Sequence, residues 1–429
     1  MPDTHSSIFP NSFSYLRDVN FGIALLAAYF LLDFGAFQGV FEVLSSLRIP
    51  FIIAALSVLY ALYLVITAKV TLNTPVTRAF IIFCLFIIIY SHFYTVKEQN
   101  KSAYLTLVLQ YLANYIIMIS CIKKPSQFIF LIDVWLFSIF HSSYHAIYQG
   151  GKLWDSIWLK DENHISLICA YGIPFAFFFF MICQSKLKKL FYLLCMVLYT
   201  TSVVLSASRG GFVSMVTVAF FCWLVIKAKF KSLVIIIIAI IAVLSFAPQK
   251  FFSEVKTLEQ GTKEGTADQR IYLWGIALEI FYEHPLLGVG ISNYPLNVLK
   301  YDVENRFAIE YYAKGNDRVA HSTPVQWLAE TGIVGVFILL MLQISLYKNW
   351  KIIHTQKNIK TGCSLNDHSL SLLKTISDAC AITQVGFWVA ALFLSLLPYP
   401  FYWCLVPFSE TWKNVSLNYI QNEVVGLQS

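Results

Sequence analysis

Stretches of about 18 to 22 apolar residues recur along this chain, and each is long enough to cross a hydrocarbon core of about 30 Å as a helix. Residues 50–68, 79–95, 103–122, 164–183, 232–247 and 331–346 are examples. Lipid offers no water to the backbone, so such runs must be helices that satisfy their own hydrogen bonds. Composition agrees: 58% of residues are hydrophobic and 13% charged, with mean hydropathy +0.65, whereas soluble domains carry about a quarter charged residues. The chain reads as an all-α polytopic membrane protein. Its first apolar run follows polar residues 2–18, lacks a small-residue cleavage pattern and precedes many similar spans, so it reads as a span and not as a cleaved signal.

The net charge of +7 reports topology. Basic residues cluster in alternate short loops, at Lys69 and Arg78, Lys123 and Lys124, Lys186 to Lys189, Lys227 to Lys231, and Lys348 to Lys360. That is the positive-inside pattern of a cytoplasmic face, and it implies contact with anionic membrane lipids, with no nucleic-acid partner. Applied span by span, it predicts a cytoplasmic N-terminus and nine transmembrane helices within residues 20–247. A large, partly helical external loop then occupies 248–325, and C-terminal helices within 326–415 flank a basic cytoplasmic loop at 348–376. The final spans fall at about 380–398 and 400–415, giving about twelve helices in one membrane domain, 1–429. No internal repeat or inverted symmetry is evident, which argues against a transporter. The cysteines avoid the large loop and show no metal-ligand spacing, so a disulfide framework is not expected.

Three residues near the external loop carry most of the chemistry. Arg209, within Ser208-Arg209-Gly210-Gly211, opens an apolar span at its external mouth; an ionisable group there serves a ligand or snorkels to headgroups. Arg270 lies at the start of a helix expected from Asp268 through residue 282, ended by His284-Pro285 and followed by a turn at Gly288-Val289-Gly290. A planar guanidinium suits a diphosphate, and a salt bridge to Asp268 or Glu264 is the alternative. His321 stands where the loop returns to the membrane, placed either to take a proton near neutral pH or to serve structure. Residues 301–317, with Tyr311 and Tyr312, suit an interfacial or lid segment. His141 and His145 are spaced for a metal but lack an evident third ligand. Asp33 and Asp133 are membrane-embedded acids that either shape a cavity or pair with a base. Asp161 to His164 either cap a helix or touch an acceptor sugar.

Together these segments resemble the O-antigen ligase superfamily, which includes O-antigen polymerases and bacterial protein O-oligosaccharyltransferases. The resemblance rests on Ser208-Arg209-Gly210-Gly211, Gln269-Arg270-x-x-x-Trp274 and His284-Pro285-Leu286-Leu287-Gly288-Val289-Gly290. It continues in His321-x-x-x-Val325-Gln326-x-x-x-Glu330-x-Gly332-x-x-Gly335, and is clearest over about residues 160–350. Ser322 replaces an asparagine common in the family. The resemblance implies a GT-C-like glycosyltransferase of the bacterial inner membrane with its active site at the periplasmic face. It would use no nucleotide sugar, metal or other cofactor. The donor would be a glycan on undecaprenyl diphosphate and the acceptor lipid A-core, with a second glycan or a protein as alternatives. By motif match Arg209 and Arg270 would bind the donor diphosphate and His321 would act as general base, with inversion at the anomeric carbon. Ser208, Gly210, Trp274, Gln326 and Glu330 would line the substrate. The chain lacks the long C-terminal domain of some protein-glycosylating members, which favours the ligase reading. A lipid-linked-glycan flippase is the reading from a different class.

Overall fold

The computed structural model describes residue 8 and residues 13–426, apart from 71, 155, 157–158, 227–265, 308–317, 357–366 and 398. The span expected at 232–247, the first part of the external loop and the segment around Tyr311 and Tyr312 lie outside the described residues.

The described residues form fifteen α-helices and no strand. In chain order they are α1 (Phe21–Asp33), α2 (Phe37–Val40), α3 (Glu42–Ser46), α4 (Ile49–Ile66), α5 (Pro75–Tyr94), α6 (Glu98–Cys121), α7 (Pro125–Tyr148) and α8 (Glu162–Ile182). They continue with α9 (Lys186–Leu205), α10 (Arg209–Val225), α11 (Thr266–Glu283), α12 (Tyr294–Tyr301), α13 (Thr323–Thr355), α14 (Asp367–Ala391) and α15 (Pro400–Gly426). Side-chain caps start several of them. Asn20, Thr74, Asp161, Ser185 and Ser208 each accept a backbone N–H of the first turn, satisfying groups that an apolar setting would otherwise leave orphaned.

Among the described residues, seven helices are both long and apolar enough to cross a membrane, α4 to α9 and α13. The expected count of about twelve covers the whole chain, including the span at 232–247 outside the described residues. Helices α1 and α10 are apolar but shorter, at 13 and 17 residues. Helix α15 is not the short span expected at 400–415: it runs for 27 residues, and its modest hydropathy reflects an internal ion pair. Lys413 Nζ lies 2.7 Å from Glu410 Oε1 with the side chains 7% and 0% exposed, and Asn349 Nδ2 donates to Glu410 Oε2 at 2.8 Å. Helix α14 starts at Asp367, inside the expected basic loop 348–376, and ends at Ala391, so it takes in 380–391 of the span expected at about 380–398, and residues 392–397 lie outside it. The two membrane acids are paired. Tyr29 donates to Asp33 at 3.0 Å, while Asp133 meets Lys188 at 3.2 Å and accepts from Tyr192 at 2.7 Å.

One apolar core runs through the long helices. A second, smaller one joins α11 (Leu273, Ile276, Ile280), α12 (Tyr294, Val298) and Phe307 to Ala320 and Ala329 at the head of α13. The join is explained by a break in α13. Gly332 has φ +59 and ψ −161, non-helical values that uncouple the ladder there. The segment after α11 takes up the freed groups: Val289 N–H donates to Ala329 O at 3.1 Å and Gly290 N–H to Glu330 O at 2.8 Å. In return Ile333 N–H donates to Pro285 O at 2.9 Å and Val334 N–H to Leu286 O at 3.2 Å. The clasp accounts for the glycines in both motifs. A Cβ on Gly288 would lie 2.4 Å from the Glu330 carbonyl carbon, and one on Gly332 would lie 2.5 Å from that of Leu286.

Candidate active site at the heads of α8, α10 and α13

The connection 392–399 touches three helix N-termini. Gly210 at the head of α10 faces it, with room for a Cβ in ordinary contact at 3.4 Å from Phe393. Thr323 at the head of α13 donates to Leu394 O at 2.6 Å and accepts Leu396 N–H at 2.8 Å. The ring of His164 at the head of α8 lies 4.2 Å from that of Tyr399. Ser208 Oγ, the cap of α10, also donates to Asn163 Oδ1 at 2.7 Å, tying α10 to α8. Three helix N-termini therefore open onto one place, an arrangement that favours a bound anion through their partial positive charge.

The charged groups gather at the same place. Arg209 is the first residue of α10, and Arg270 lies in the first turns of α11. Burial, and then the nearby positive charge of Arg209, lower the pKa of Arg270, which still leaves a guanidinium charged at any working pH. Of the two carboxylates expected as alternatives, Asp268 pairs with Arg306 at 2.5 Å, and Glu264 lies outside the described residues. Among the described residues Arg270, half-buried, makes no ion pair. His321 precedes the α13 cap Ser322 and has φ +50. Burial first, then the charges of Arg270 and Arg318, hold its imidazole below the ordinary histidine value, against a smaller opposing effect of Asp161. The ring is thus neutral at pH 7, the form that can accept a proton.

The five neighbours singled out with these residues make contacts within the protein. Ser208 is 4% exposed and accepts Gly211 N–H at 3.2 Å. Trp274 Nε1 donates to Ala320 O at 2.9 Å. Gln326 accepts Ala320 N–H at 3.3 Å and the Ser395 hydroxyl at 2.6 Å, and its Nε2 donates to Glu330 Oε1 at 3.0 Å. Gly210 faces Phe393. His141 Nδ1 lies 2.7 Å from Gly35 O and its ring stacks on Phe37 at 3.9 Å, and among the described residues no group of three or more metal-ligating side chains is found. Asp161 caps α8 through Asn163 N–H at 2.7 Å and also reaches His321 electrostatically.

Two features went unread in the sequence. One is Arg318, three residues before His321, whose guanidinium lies 5.4 Å over the Phe307 ring. The other is the connection 392–399, which hydropathy hides inside an apolar run. Its signal was Pro398-Tyr399-Pro400, since proline disfavours helix in the preceding residue.

The fold and site define a multi-pass helical membrane protein with a cationic, histidine-bearing centre at one end of its helices. Residues 194–340 match the family model described as O-antigen ligase, a segment that contains Arg209, Arg270, His321 and the clasp. The match supports the O-antigen ligase superfamily and, with it, a transferase of glycosyltransferase type whose partners are a lipid-linked glycan and an acceptor. No curated protein matches the chain in sequence.

Proposed function

We propose that the chain transfers a glycan from undecaprenyl diphosphate to an acceptor hydroxyl at the periplasmic face of the inner membrane, acting as an O-antigen ligase on lipid A-core. The single observation that carries this reading is Arg270: a half-buried guanidinium with no carboxylate partner among the described residues, beside Arg209 and a neutral imidazole. Such a group calls for an anionic ligand, and a diphosphate satisfies two guanidinium forks at once.

In the reaction the acceptor oxygen attacks the anomeric carbon opposite the diphosphate, and the carbon–oxygen bond to the diphosphate breaks. His321 takes the acceptor proton. Arg209 and Arg270 stabilise the negative charge that builds on the leaving group. The sugar inverts, and the heads of α8, α10 and α13 add their partial positive charge to the same side.

The test is His321→Ala in proteoliposomes supplied with carrier-linked glycan and acceptor. Transfer should be abolished with the protein still folded, and full activity would overturn the mechanism. Deleting the gene separates the acceptors. Loss of glycan on lipid A-core with carrier-linked polymer retained identifies a ligase, whereas a single-repeat band identifies a polymerase.

A further inference from the structure

We infer that Gln326 is a positioning residue for His321, and that Glu330 fixes the orientation in which Gln326 works. The inference rests on the reading of His321 as the group that takes the acceptor proton.

His321 holds a left-handed backbone conformation, φ +50, which a residue with a Cβ keeps only where its surroundings over-determine it. Gln326 grips the chain on both sides of it. Its side-chain Oε1 accepts Ala320 N–H at 3.3 Å, and its backbone N–H donates to Ser322 O at 3.0 Å. Trp274 secures the same stretch through Ala320 O at 2.9 Å.

A glutamine amide has an accepting and a donating end, and only one orientation fits here. Ala320 N–H and the Ser395 hydroxyl both donate, so Oε1 must face them. Nε2 then faces Glu330 Oε1 at 3.0 Å, an oxygen that also accepts Tyr294 N–H at 3.3 Å. With the Glu330 carboxylate in place, a flipped amide would set acceptor against acceptor at one end and donor against donor at the other. Glu330 is 4% exposed. Both side chains engage protein partners, and both act through the backbone that carries His321.

The experiment uses the full-length protein in proteoliposomes with undecaprenyl-diphosphate-linked glycan. The acceptor is lipid A-core, or a second carrier-linked glycan if that is what the wild type uses. Gln326→Met and Glu330→Gln are each made alone and with His321→Ala. A displacement of a reacting group by about 1 Å costs on the order of 100-fold. Gln326→Met should thus lower kcat about 30-fold to 100-fold, and Glu330→Gln about 10-fold. Donor Kd should stay at its wild-type value, and neither change should lower the residual rate of His321→Ala.

A wild-type rate in Gln326→Met overturns the inference. So does a parallel fall in donor affinity, or an added loss in the His321→Ala background. Failure of the functional reading looks different, because His321→Ala itself would then keep its full rate.

Discussion

Gly288 and Gly332 each leave room for the backbone of the segment that bears the other. Both have positive φ, +66 and +59, and a Cβ on either would press within 2.4–2.5 Å of main-chain atoms on the opposite strand of the clasp. Backbone contact so close admits no side chain and holds the external segment on the break in α13.

Gly332→Ala should therefore destabilise the protein by about 3 kcal/mol, combining a strained φ with a clash against backbone. Thermal unfolding in detergent measures it. A midpoint equal to wild type would mean that the clasp contributes nothing.

Arg270→Ala and Arg209→Ala should each weaken binding of the diphosphate-linked donor by about 10-fold to 100-fold, the range for losing a hydrogen bond to a charged group. Direct binding of the labelled donor reads this without turnover. Unchanged affinity in both variants would reduce the two arginines to interfacial anchors.

The pH dependence has a definite sign. His321 must be neutral to accept a proton, and burial with Arg270 and Arg318 lowers its pKa from 6.5. The acidic limb of kcat/KM should then fall below about pH 6.5, the ordinary histidine value. Arg318→Gln removes a repelling charge and should move the limb up. Asp161→Asn removes an attracting one and should move it down. Shifts in the opposite directions would contradict the electrostatic arrangement around the ring.

Lys413→Met should cost about 3 kcal/mol, because it leaves the buried Glu410 charge with only Asn349 to satisfy it. Adding Glu410→Gln should recover most of the loss. The comparison of thermal midpoints isolates the pair, and an unrecovered double variant would assign the loss to packing.

The helical class was legible because lipid imposes one solution on long apolar runs, and Arg209, Arg270 and His321 were legible because their residue types suit one chemistry in a fixed order. Helix α11 was equally readable, down to its end at His284-Pro285. What stayed hidden depended on tertiary contact. The i, i+4 spacing of Gln326 and Glu330 makes them neighbours on one helix face, but the bonds from Gln326 to Ala320 and Ser395 join segments that the sequence alone does not bring together. The segment 392–399 reads as membrane span because its residues are apolar, yet its work is done by carbonyls and close packing. Helix α15 looked weak because hydropathy counts Glu410 and Lys413 as separate charges, whereas the fold neutralises them against each other.

The second apolar core has a consequence for engineering. Helices α11 and α12 share a small nucleus with the head of α13 and are tied to the helical body by the clasp and by bonds from residues 291–293 to α5 and α6, while Arg209 belongs to the helical body. Chimeras that exchange 266–307 between relatives bearing the same paired glycines should keep the leaving-group grip, and they offer a direct route to asking which half of the molecule chooses the acceptor.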